Sequence, residues 1–316
     1  MYDVGIVGAS NFASSYVKAL KRNKKVRNIY CFSNSIKRAE SYAKKYNIKS
    51  INSFSELCSN KDIFAVIIVN DPTSHLLFAS KLLASNKHLL IEKPLDVDIK
   101  KIKEFICDAK KVRQTISVSG QYKYYSVFNR INKKIKNSAI DEFIFTNISM
   151  SLSSSISSYE KGNGWKLEFG HTSLNHAVHY LDLVLFFFGK LDSYFISQNS
   201  SRKLLKCKDT CAILLKFRNG HMVTINATTA SEKTQPDIFN FVTKKKNYLI
   251  KIPRTARANR FLSLIRIIFL KKNPFEIQLD SFLKKAEKGT RDLESLERAS
   301  LAVEIASNYI STFKKL

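Results

Sequence analysis

Glycine and proline are scarce in this sequence, with 9 and 5 of them among 316 residues. This scarcity argues against fibrous or disordered chains, and a hydrophobic fraction of 44% favours packed globular structure. No run of 18 apolar residues is present, and the N-terminus lacks the charged region of a secretory signal, so neither a transmembrane helix nor a signal peptide is predicted. The length suffices for two domains.

Cysteines are few and scattered, at positions 31, 58, 107, 207 and 211. Their number is odd, and only Cys207 and Cys211 lie near each other, with three residues between them. This arrangement argues against a disulfide framework and favours reduced thiols. We therefore expect a cytoplasmic protein.

Acidic residues are half as numerous as basic ones, 26 against 53, which gives a net charge of +27. Such a charge attracts anionic partners, which include phosphorylated metabolites, nucleic acid and acidic membranes. The basic residues are spread along the whole chain, without a basic tail or an aromatic-basic RNA motif. Most of the excess is therefore interpreted as a general surface bias, and no nucleic-acid partner is predicted.

The first strand and turn favour a cradle for dinucleotide phosphates. An apolar stretch at 2–7 is followed by a turn that starts at Gly8, and then by apolar residues at helical spacing. Backbone N–H groups at the start of such a helix face the pyrophosphate. The glycine pattern is degraded, because Ser10 and Ala13 stand where further glycines are usual.

The end of the second predicted strand, at 29–32, bears on the choice of cofactor. An acidic residue at this point would hold the ribose hydroxyls of NAD. Ser33, Asn34 and Ser35 stand there instead, and Arg38 follows. Because no carboxylate opposes a 2′-phosphate, the expected cofactor is NADP or NAD, with NADP favoured.

An apolar run at 89–91 ends in Glu92, Lys93 and Pro94. This pattern is typical of a buried parallel strand whose tip carries reactive groups. Ligands bind at such tips in open α/β sheets. The alternative is a surface turn, because Lys-Pro is also ordinary turn chemistry.

A helix predicted over 171–182 carries a second group of candidate residues. Its apolar residues form a buried stripe, and Asn175 and His179 lie four apart on a neighbouring face. His176 and His179 are three apart but have no second ligand pair, so no metal site is predicted. A histidine satisfied within the core is the alternative interpretation of His179.

The rest of the second half predicts an antiparallel region. Strands are predicted at 143–152, 193–198, 211–217, 221–228, 238–242 and 248–252, and helices at 276–288 and 292–315. The serine-rich stretch 151–158 is interpreted either as a mobile loop near the site or as a plain surface connection. The apolar segment 260–272 has basic edges and favours burial against the sheet or a partner, with a peripheral membrane helix as the alternative.

Together these motifs resemble the glucose-fructose oxidoreductase and inositol dehydrogenase family (Gfo/Idh/MocA). Pro72 and His75 match the family's Pro-x-x-His helix start, and Lys93 of the Glu-Lys-Pro tip follows eighteen residues after that histidine. His179 matches the family's histidine, whereas Asn175 stands where an aspartate is usual. Some members that act on nucleotide-linked sugars resemble this asparagine version. The resemblance covers nearly the whole chain.

The resemblance implies an α/β protein with two domains. Residues 1–121 would form an N-terminal Rossmann domain with a doubly wound parallel sheet, and 122–316 a C-terminal α+β domain with a large open, mostly antiparallel sheet. The implied activity is NAD(P)-dependent hydride transfer to or from a hydroxyl or carbonyl carbon of a sugar or nucleotide-sugar. A homo-oligomer through the open sheet is also implied. The rival interpretation is a catalytically weakened dinucleotide-binding sensor or scaffold of the same fold.

The resemblance also assigns roles to individual residues. Lys93 would stabilise charge on the reacting oxygen, His179 would exchange the hydroxyl proton, and Asn175 would orient the histidine or the sugar. The residues expected to bind the cofactor are Gly8, Ser10, Asn11, Phe12, Ser33, Asn34, Arg38, Asn70, Pro72, His75, Glu92 and Lys93. The residues expected to contact the substrate are Tyr122, Lys123 and Trp165.

Overall fold

The computed structural model describes residues 1–137, 142–160, 164–202, 205–254, 273–308 and 314–315. The chain divides into two compact units, one formed by Met1–Tyr124 with Lys272–Ser300 and the other by Tyr125–Lys271 with Leu301–Leu316. Each unit is built around one sheet.

Six parallel strands form the sheet of the first unit. They are β1 (Tyr2–Val7), β2 (Val26–Phe32), β3 (Lys49–Ser50), β4 (Ile63–Ile68), β5 (His88–Ile91) and β6 (Ile116–Val118). Their spatial order is β3-β2-β1-β4-β5-β6, which is the doubly wound order and confirms the predicted Rossmann sheet. Strands β1 and β4 are buried along almost their whole length, because helices cover both faces of such a sheet.

Seven strands form the sheet of the second unit. They are β7 (Phe143–Ser151), β8 (Leu191–Asn199), β9 (Thr210–Phe217), β10 (Met222–Thr228), β11 (Asp237–Thr243), β12 (Asn247–Ile252) and β13 (Lys314–Lys315). The order is β12-β11-β7-β10-β9-β8-β13. Strands β7 and β10 pair in parallel, and the other neighbours pair antiparallel, which confirms the predicted mostly antiparallel sheet.

The α-helices of the described residues are, in chain order, α1 (Ala13–Arg22), α2 (Ile36–Tyr46), α3 (Phe54–Ser59), α4 (His75–Ala84), α5 (Ile99–Ala109), α6 (Ser126–Asn137), α7 (Ser157–Glu160), α8 (Trp165–Phe169), α9 (Val178–Phe188), α10 (Pro274–Glu287) and α11 (Leu293–Ala306). Short 3₁₀ helices lie at Pro72–Ser74 and Gln121–Tyr124. Within the parts of the chain that the structure describes, no helix is long and apolar enough to cross a membrane.

Helix α10 belongs to the first unit although it lies near the end of the chain. Its Leu279 and Phe282 are in the same buried core cluster as Tyr16 of α1. Glu276 forms an ion pair with Arg22 at the C-terminal end of α1. This return of the chain was not included in the predicted division at 121/122.

The C-terminal helix predicted over 292–315 is too long. Helix α11 ends at Ala306, and Lys314–Lys315 pairs with β8 as the edge strand β13. The prediction was wrong because a neighbouring strand, and not local helical pattern, determines the conformation of these last residues. The apolar segment 260–272 lies outside the described residues.

Candidate active site

The turn between β1 and α1 approaches the end of β4 closely. Gly8 has a φ of +118°, and its N–H donates to the carbonyl of Phe32 over 2.9 Å. A Cβ at Gly8 would lie 2.9 Å from backbone atoms of Val69 and Asn70. Any side chain at this position would therefore force the turn away from β4.

Helix α1 begins directly after this turn. The Oγ of Ser10 accepts a hydrogen bond from the N–H of Ala13 over 3.2 Å, and the carbonyl of Asn11 accepts one from the Ser14 hydroxyl over 2.7 Å. Ser10, Asn11 and Phe12 are exposed, and the first turn of α1 contains no acidic residue. The helix dipole and the N–H groups at this end favour a phosphate.

The end of β2 carries the residues predicted to face the adenosine ribose. Ser33 is half-buried and Asn34 is exposed. The Oγ of Ser35 caps α2 by accepting from the N–H of Arg38 over 3.4 Å, and the first turn of α2 has no acidic residue. The exposed guanidinium of Arg38 therefore lies on a helix whose start favours negative charge.

The segment after β4 contains His75, whose side chain contacts both Asn70 and the Glu92–Lys93–Pro94 tip. The Asn70 side-chain amide donates to the Oγ of Ser74 over 2.7 Å, and Pro72 opens the 3₁₀ helix. The imidazole of His75 is buried, with Nδ1 2.9 Å from the carbonyl oxygen of Pro94 and Nε2 3.3 Å from that of Asn70. His75 thus ties the end of β4 to the Glu92–Lys93–Pro94 tip.

Burial lowers the pKa of His75 to about 4, so its ring is neutral at physiological pH. A neutral imidazole has one N–H, and the carbonyl of Pro94 is the nearer acceptor. Nδ1–H therefore donates to Pro94. His75 was predicted to bind the cofactor; the contacts that it makes here fix the backbone beside Lys93.

The Glu92–Lys93–Pro94 tip is buried at the carboxyl edge of the parallel sheet. Glu92 is 4% and Lys93 9% exposed, and the Lys93–Pro94 peptide bond is cis. The Glu92 carboxylate accepts hydrogen bonds from the Tyr16 hydroxyl and from the N–H of Lys93, the latter over 3.0 Å. Such burial argues against the surface-turn interpretation of this motif.

The helix predicted over 171–182 begins with a wider turn. Residues Ser173–Ala177 form a π-helix, which continues into α9. Asn175 lies in this π-helix, and its Nδ2 is 3.3 Å from Nε2 of His176. His179 lies on α9 and is half-buried. Single π turns occur often at functional sites because they redirect side chains.

Burial and two positive charges act on His176. Burial, together with the charges of Arg254 and Lys166, lowers its pKa to about 3, so the ring is neutral. Its unprotonated Nε2 can then accept the hydrogen bond from Asn175. Arg254 is itself held by the Asp237 carboxylate over 2.5 Å and donates to the Tyr180 hydroxyl over 2.5 Å.

The predicted substrate residues lie on short helices. Trp165 begins α8 and is half-buried, with the Nζ of Lys166 5.9 Å from its ring centroid. Tyr122 and Lys123 are half-buried in the 3₁₀ helix Gln121–Tyr124. Tyr122 and Lys123 belong to the first unit with Lys93, and Trp165 to the second with Asn175 and His179.

Four residues that act on the predicted ones were not predicted from the sequence. In the first unit, Tyr16 donates to Glu92, and Gln278 donates to the Tyr16 hydroxyl over 3.0 Å. In the second unit, His176 contacts Asn175, and the charge of Arg254 acts on His176. The sequence does place His176 between Asn175 and His179, but its spacing from His179 suggested only a metal ligand. The other three are brought in by tertiary contacts and have no local motif.

Two family models match the chain in succession. Residues 2–119 match the oxidoreductase family with an NAD-binding Rossmann fold, and residues 128–247 match the Gfo/Idh/MocA C-terminal domain. The chain belongs to the Gfo/Idh/MocA oxidoreductase family. The resemblance drawn from the sequence motifs is thereby confirmed.

Three dehydrogenases are similar to this chain in sequence or in structure. Glucose-6-phosphate 3-dehydrogenase of Bacillus subtilis is 22% identical over 223 residues, or 68% of this chain but only 62% of that enzyme's length. Myo-inositol 2-dehydrogenase of Lactobacillus plantarum has a TM-score of 0.82 at 14% identity, with 100% of this chain and 99% of that chain covered. Scyllo-inositol dehydrogenase of Lactobacillus casei, solved with NAD(H) and scyllo-inositol, has a TM-score of 0.81 at 14% identity and the same coverage.

The residues of the first unit are compatible with binding NAD, the dinucleotide named in the description of the matching family. Gly8 permits the close approach of the β1 turn to β4, and the exposed start of α1 has no acidic residue to repel a pyrophosphate. In the described ranges, no group of three or more His, Cys, Asp or Glu side chains is placed to hold a metal ion.

Proposed function

We propose that this family member transfers a hydride between a nicotinamide cofactor and a hydroxyl-bearing carbon of an anionic sugar derivative, either a sugar phosphate or a nucleotide-sugar. The observation that carries the proposal is the buried Glu92–Lys93 tip, held by Tyr16 and His75 at the carboxyl edge of a dinucleotide-binding sheet. Ligands of open α/β sheets bind at this edge.

Each candidate residue has a separate chemical task. The bound nicotinamide supplies or accepts the hydride. Lys93 hydrogen-bonds the reacting oxygen and stabilises its developing negative charge. His179 takes or returns the hydroxyl proton, and Asn175 orients the sugar as a neutral hydrogen-bonding group.

The electrostatics of the second unit favour an anionic substrate. The charges of Arg254 and Lys166 act on His176, and Asn175 beside it carries no charge of its own. A carboxylate in place of Asn175 would repel a phosphate, and the net charge of +27 favours an anion at longer range. Glucose-6-phosphate 3-dehydrogenase, a relative of this chain, is named for a phosphorylated sugar.

We propose NADP as the preferred cofactor, because Ser33, Asn34 and Arg38 offer hydroxyl, amide and guanidinium donors and no carboxylate at the end of β2.

We also propose a homo-oligomer through the sheet of the second unit. Exposed apolar side chains on its strands, at Ile144, Met222 and Leu249, support this proposal. Light scattering of the purified chain would reveal a monomer if the proposal is wrong.

The test is a turnover assay with the purified chain. NAD⁺ and NADP⁺ are each combined with glucose, myo-inositol, glucose 6-phosphate and UDP-glucose, and NAD(P)H formation is followed by absorbance. We expect kcat/KM to be at least about 10-fold higher for an anionic sugar than for the neutral ones, equivalent to about 1.4 kcal/mol. Cofactor binding without turnover of any sugar would favour the sensor or scaffold instead.

A further inference from the structure

A cluster of four buried polar side chains lies behind the Glu-Lys-Pro tip, entirely within the first unit. Tyr16 comes from α1, Glu92 follows β5, Ser119 follows β6, and Gln278 comes from α10. Their exposed fractions are 0%, 4%, 1% and 2%, respectively. Water does not compete for the hydrogen bonds of groups buried to this degree, so the partners in the cluster fix their geometry.

The hydrogen-bond donors of this cluster form a chain that ends on Glu92. The Nε2 of Gln278 donates to the Tyr16 hydroxyl oxygen over 3.0 Å and to Ser119 Oγ over 3.1 Å, while its Oε1 accepts from the N–H of Gly120 over 2.9 Å. The hydroxyl of Tyr16 has one hydrogen, which it donates to Oε1 of Glu92.

The second oxygen of Glu92 is also held. Oε2 accepts the backbone N–H of Lys93 over 3.0 Å. One carboxylate therefore joins the Tyr16 hydroxyl to the backbone of Lys93. Loss of either donor would leave a buried carboxylate oxygen without its hydrogen bond, which is energetically costly.

The Tyr16 ring is fully buried and packs against two other aromatic rings. The ring contacts Phe12 and Phe275 edge to face, at centroid distances of 6.3 and 5.4 Å. Burial and the nearby Glu92 raise the pKa of Tyr16 well above its usual value, so the hydroxyl keeps its proton.

We propose that Tyr16 and Gln278 are positioning residues, which act through Glu92 to hold the backbone of Lys93 in the orientation that the active site requires. Neither residue needs to touch substrate or cofactor for this role. The effect on catalysis rests on the proposed function, whereas the effect on the Lys93 backbone does not.

The deciding variant is Tyr16→Phe, which removes the hydroxyl and keeps the ring contacts. The chain offers a matched control in Tyr42→Phe. Tyr42 is buried in the same unit, and in the part of the chain that the structure describes its hydroxyl has no hydrogen-bond partner. Gln278→Met provides a second variant at the other end of the cluster, in case Tyr16→Phe does not fold.

The first measurement is the ¹H–¹⁵N amide resonance of Lys93 in the full chain. Tyr16→Phe and Gln278→Met should shift this resonance and speed the hydrogen exchange of the amide. The Lys93 amide donates to the Glu92 carboxylate, and that carboxylate is held in place by the hydrogen bonds that these variants remove. Tyr42→Phe should leave both unchanged. A Lys93 amide that is unaltered in Tyr16→Phe and Gln278→Met would overturn the proposal, whatever the activity of the protein.

The second measurement is steady-state turnover of the best anionic sugar. Tyr16→Phe should lower kcat about 10-fold while KM and NADPH affinity stay within about twofold. Displacing a catalytic group by about 1 Å can lower the rate about 10²-fold, and we expect a smaller displacement of Lys93 here. A merely destabilised protein would instead show a lower fraction of cofactor-binding sites. An unaltered kcat would overturn the proposal. If the parent protein turns over no sugar, the proposed function fails and the Lys93 amide alone decides.

Discussion

Replacing Asn175 by aspartate tests the electrostatics of the second unit directly. In the parent protein the Asn175 amide donates to the unprotonated Nε2 of His176 over 3.3 Å, and the pKa of that histidine is about 3. A carboxylate cannot donate, so in Asn175→Asp two acceptors would face each other. The conflict is relieved when His176 takes up a proton.

The size of this effect follows from the distance. Two unit charges 3.3 Å apart interact by about 5 kcal/mol at an effective dielectric constant of about 20, which corresponds to nearly 4 pKa units. The pKa of about 3 already includes the effect of the Arg254 and Lys166 charges, and the partial exposure of Asn175 and His176 screens the new pair. We therefore expect the pKa of His176 to rise by about 2 to 4 units in Asn175→Asp.

An NMR titration of the histidine Cε1–H resonances between pH 3 and 8 measures this shift. His176→Asn assigns the resonance, and Asn175→Leu is the matched control that removes the donor without adding charge. The control should keep the pKa of His176 low. If His176 in Asn175→Asp still titrates below about pH 4, the contact between the two side chains is not made and the reasoning fails.

The same variant also tests the charge of the substrate. At pH 8, above the raised pKa of His176, the ring is neutral and the new carboxylate is uncompensated. We expect Asn175→Asp to lower kcat/KM about 10-fold or more there for an anionic sugar, because the carboxylate repels it, and to change a neutral sugar much less. Steady-state kinetics with glucose 6-phosphate and glucose provide the comparison. An equal change for both sugars would remove the electrostatic reason for proposing an anionic substrate.

Three further predictions concern the first unit. Lys93→Ala should lower kcat about 10²-fold or more with nearly unchanged cofactor affinity, because a charged donor at the reacting oxygen is lost; near-normal turnover would exclude the role proposed for Lys93. Ser33→Asp should shift the preference from NADPH towards NADH in fluorescence titrations, and strong rejection of NADPH by the parent would contradict the proposed pocket. His75 has a folded-state pKa of about 4 against 6.5 when unfolded, so it should contribute about 3 kcal/mol to the fall in the free energy of unfolding as the pH drops from above 6.5 to below 4. In urea unfolding, His75→Asn should show a smaller fall than the parent; an equal fall would argue against a buried neutral ring.

The parallel sheet could be predicted because β1, β4 and β5 are short apolar runs that end in turn residues. Both faces of such strands are buried, so the run itself identifies them. The Lys93 tip was predictable for the same reason. Gly8 was predictable as a turn residue, but its close approach to the backbone of Asn70 depends on strand order, which no local pattern contains.

The candidate residues of the second unit were harder to predict because their placement depends on small differences in helical pitch. Over the five residues Ser173–Ala177, the apolar spacing of a π-helix is too similar to that of an α-helix for a sequence to distinguish them. The partnership of Asn175 with His176 was therefore not predicted. Tyr16 and Gln278 are 262 positions apart, and only the packing of α10 on the first unit makes them neighbours.

The return of α10 to the first unit has a consequence for synthesis. Phe282 and Leu279 complete a core that begins at Val4, so the first unit remains unfinished until the ribosome has made the whole intervening chain. At about 5 to 20 residues per second, the stretch from Tyr124 to Phe282 takes on the order of ten seconds. During this interval the core cluster of the first unit lacks the apolar side chains of Leu279, Phe282 and Leu283. A stop codon or a cleavage before α10 would therefore leave the dinucleotide-binding unit itself incomplete, although every strand of its sheet had already been made.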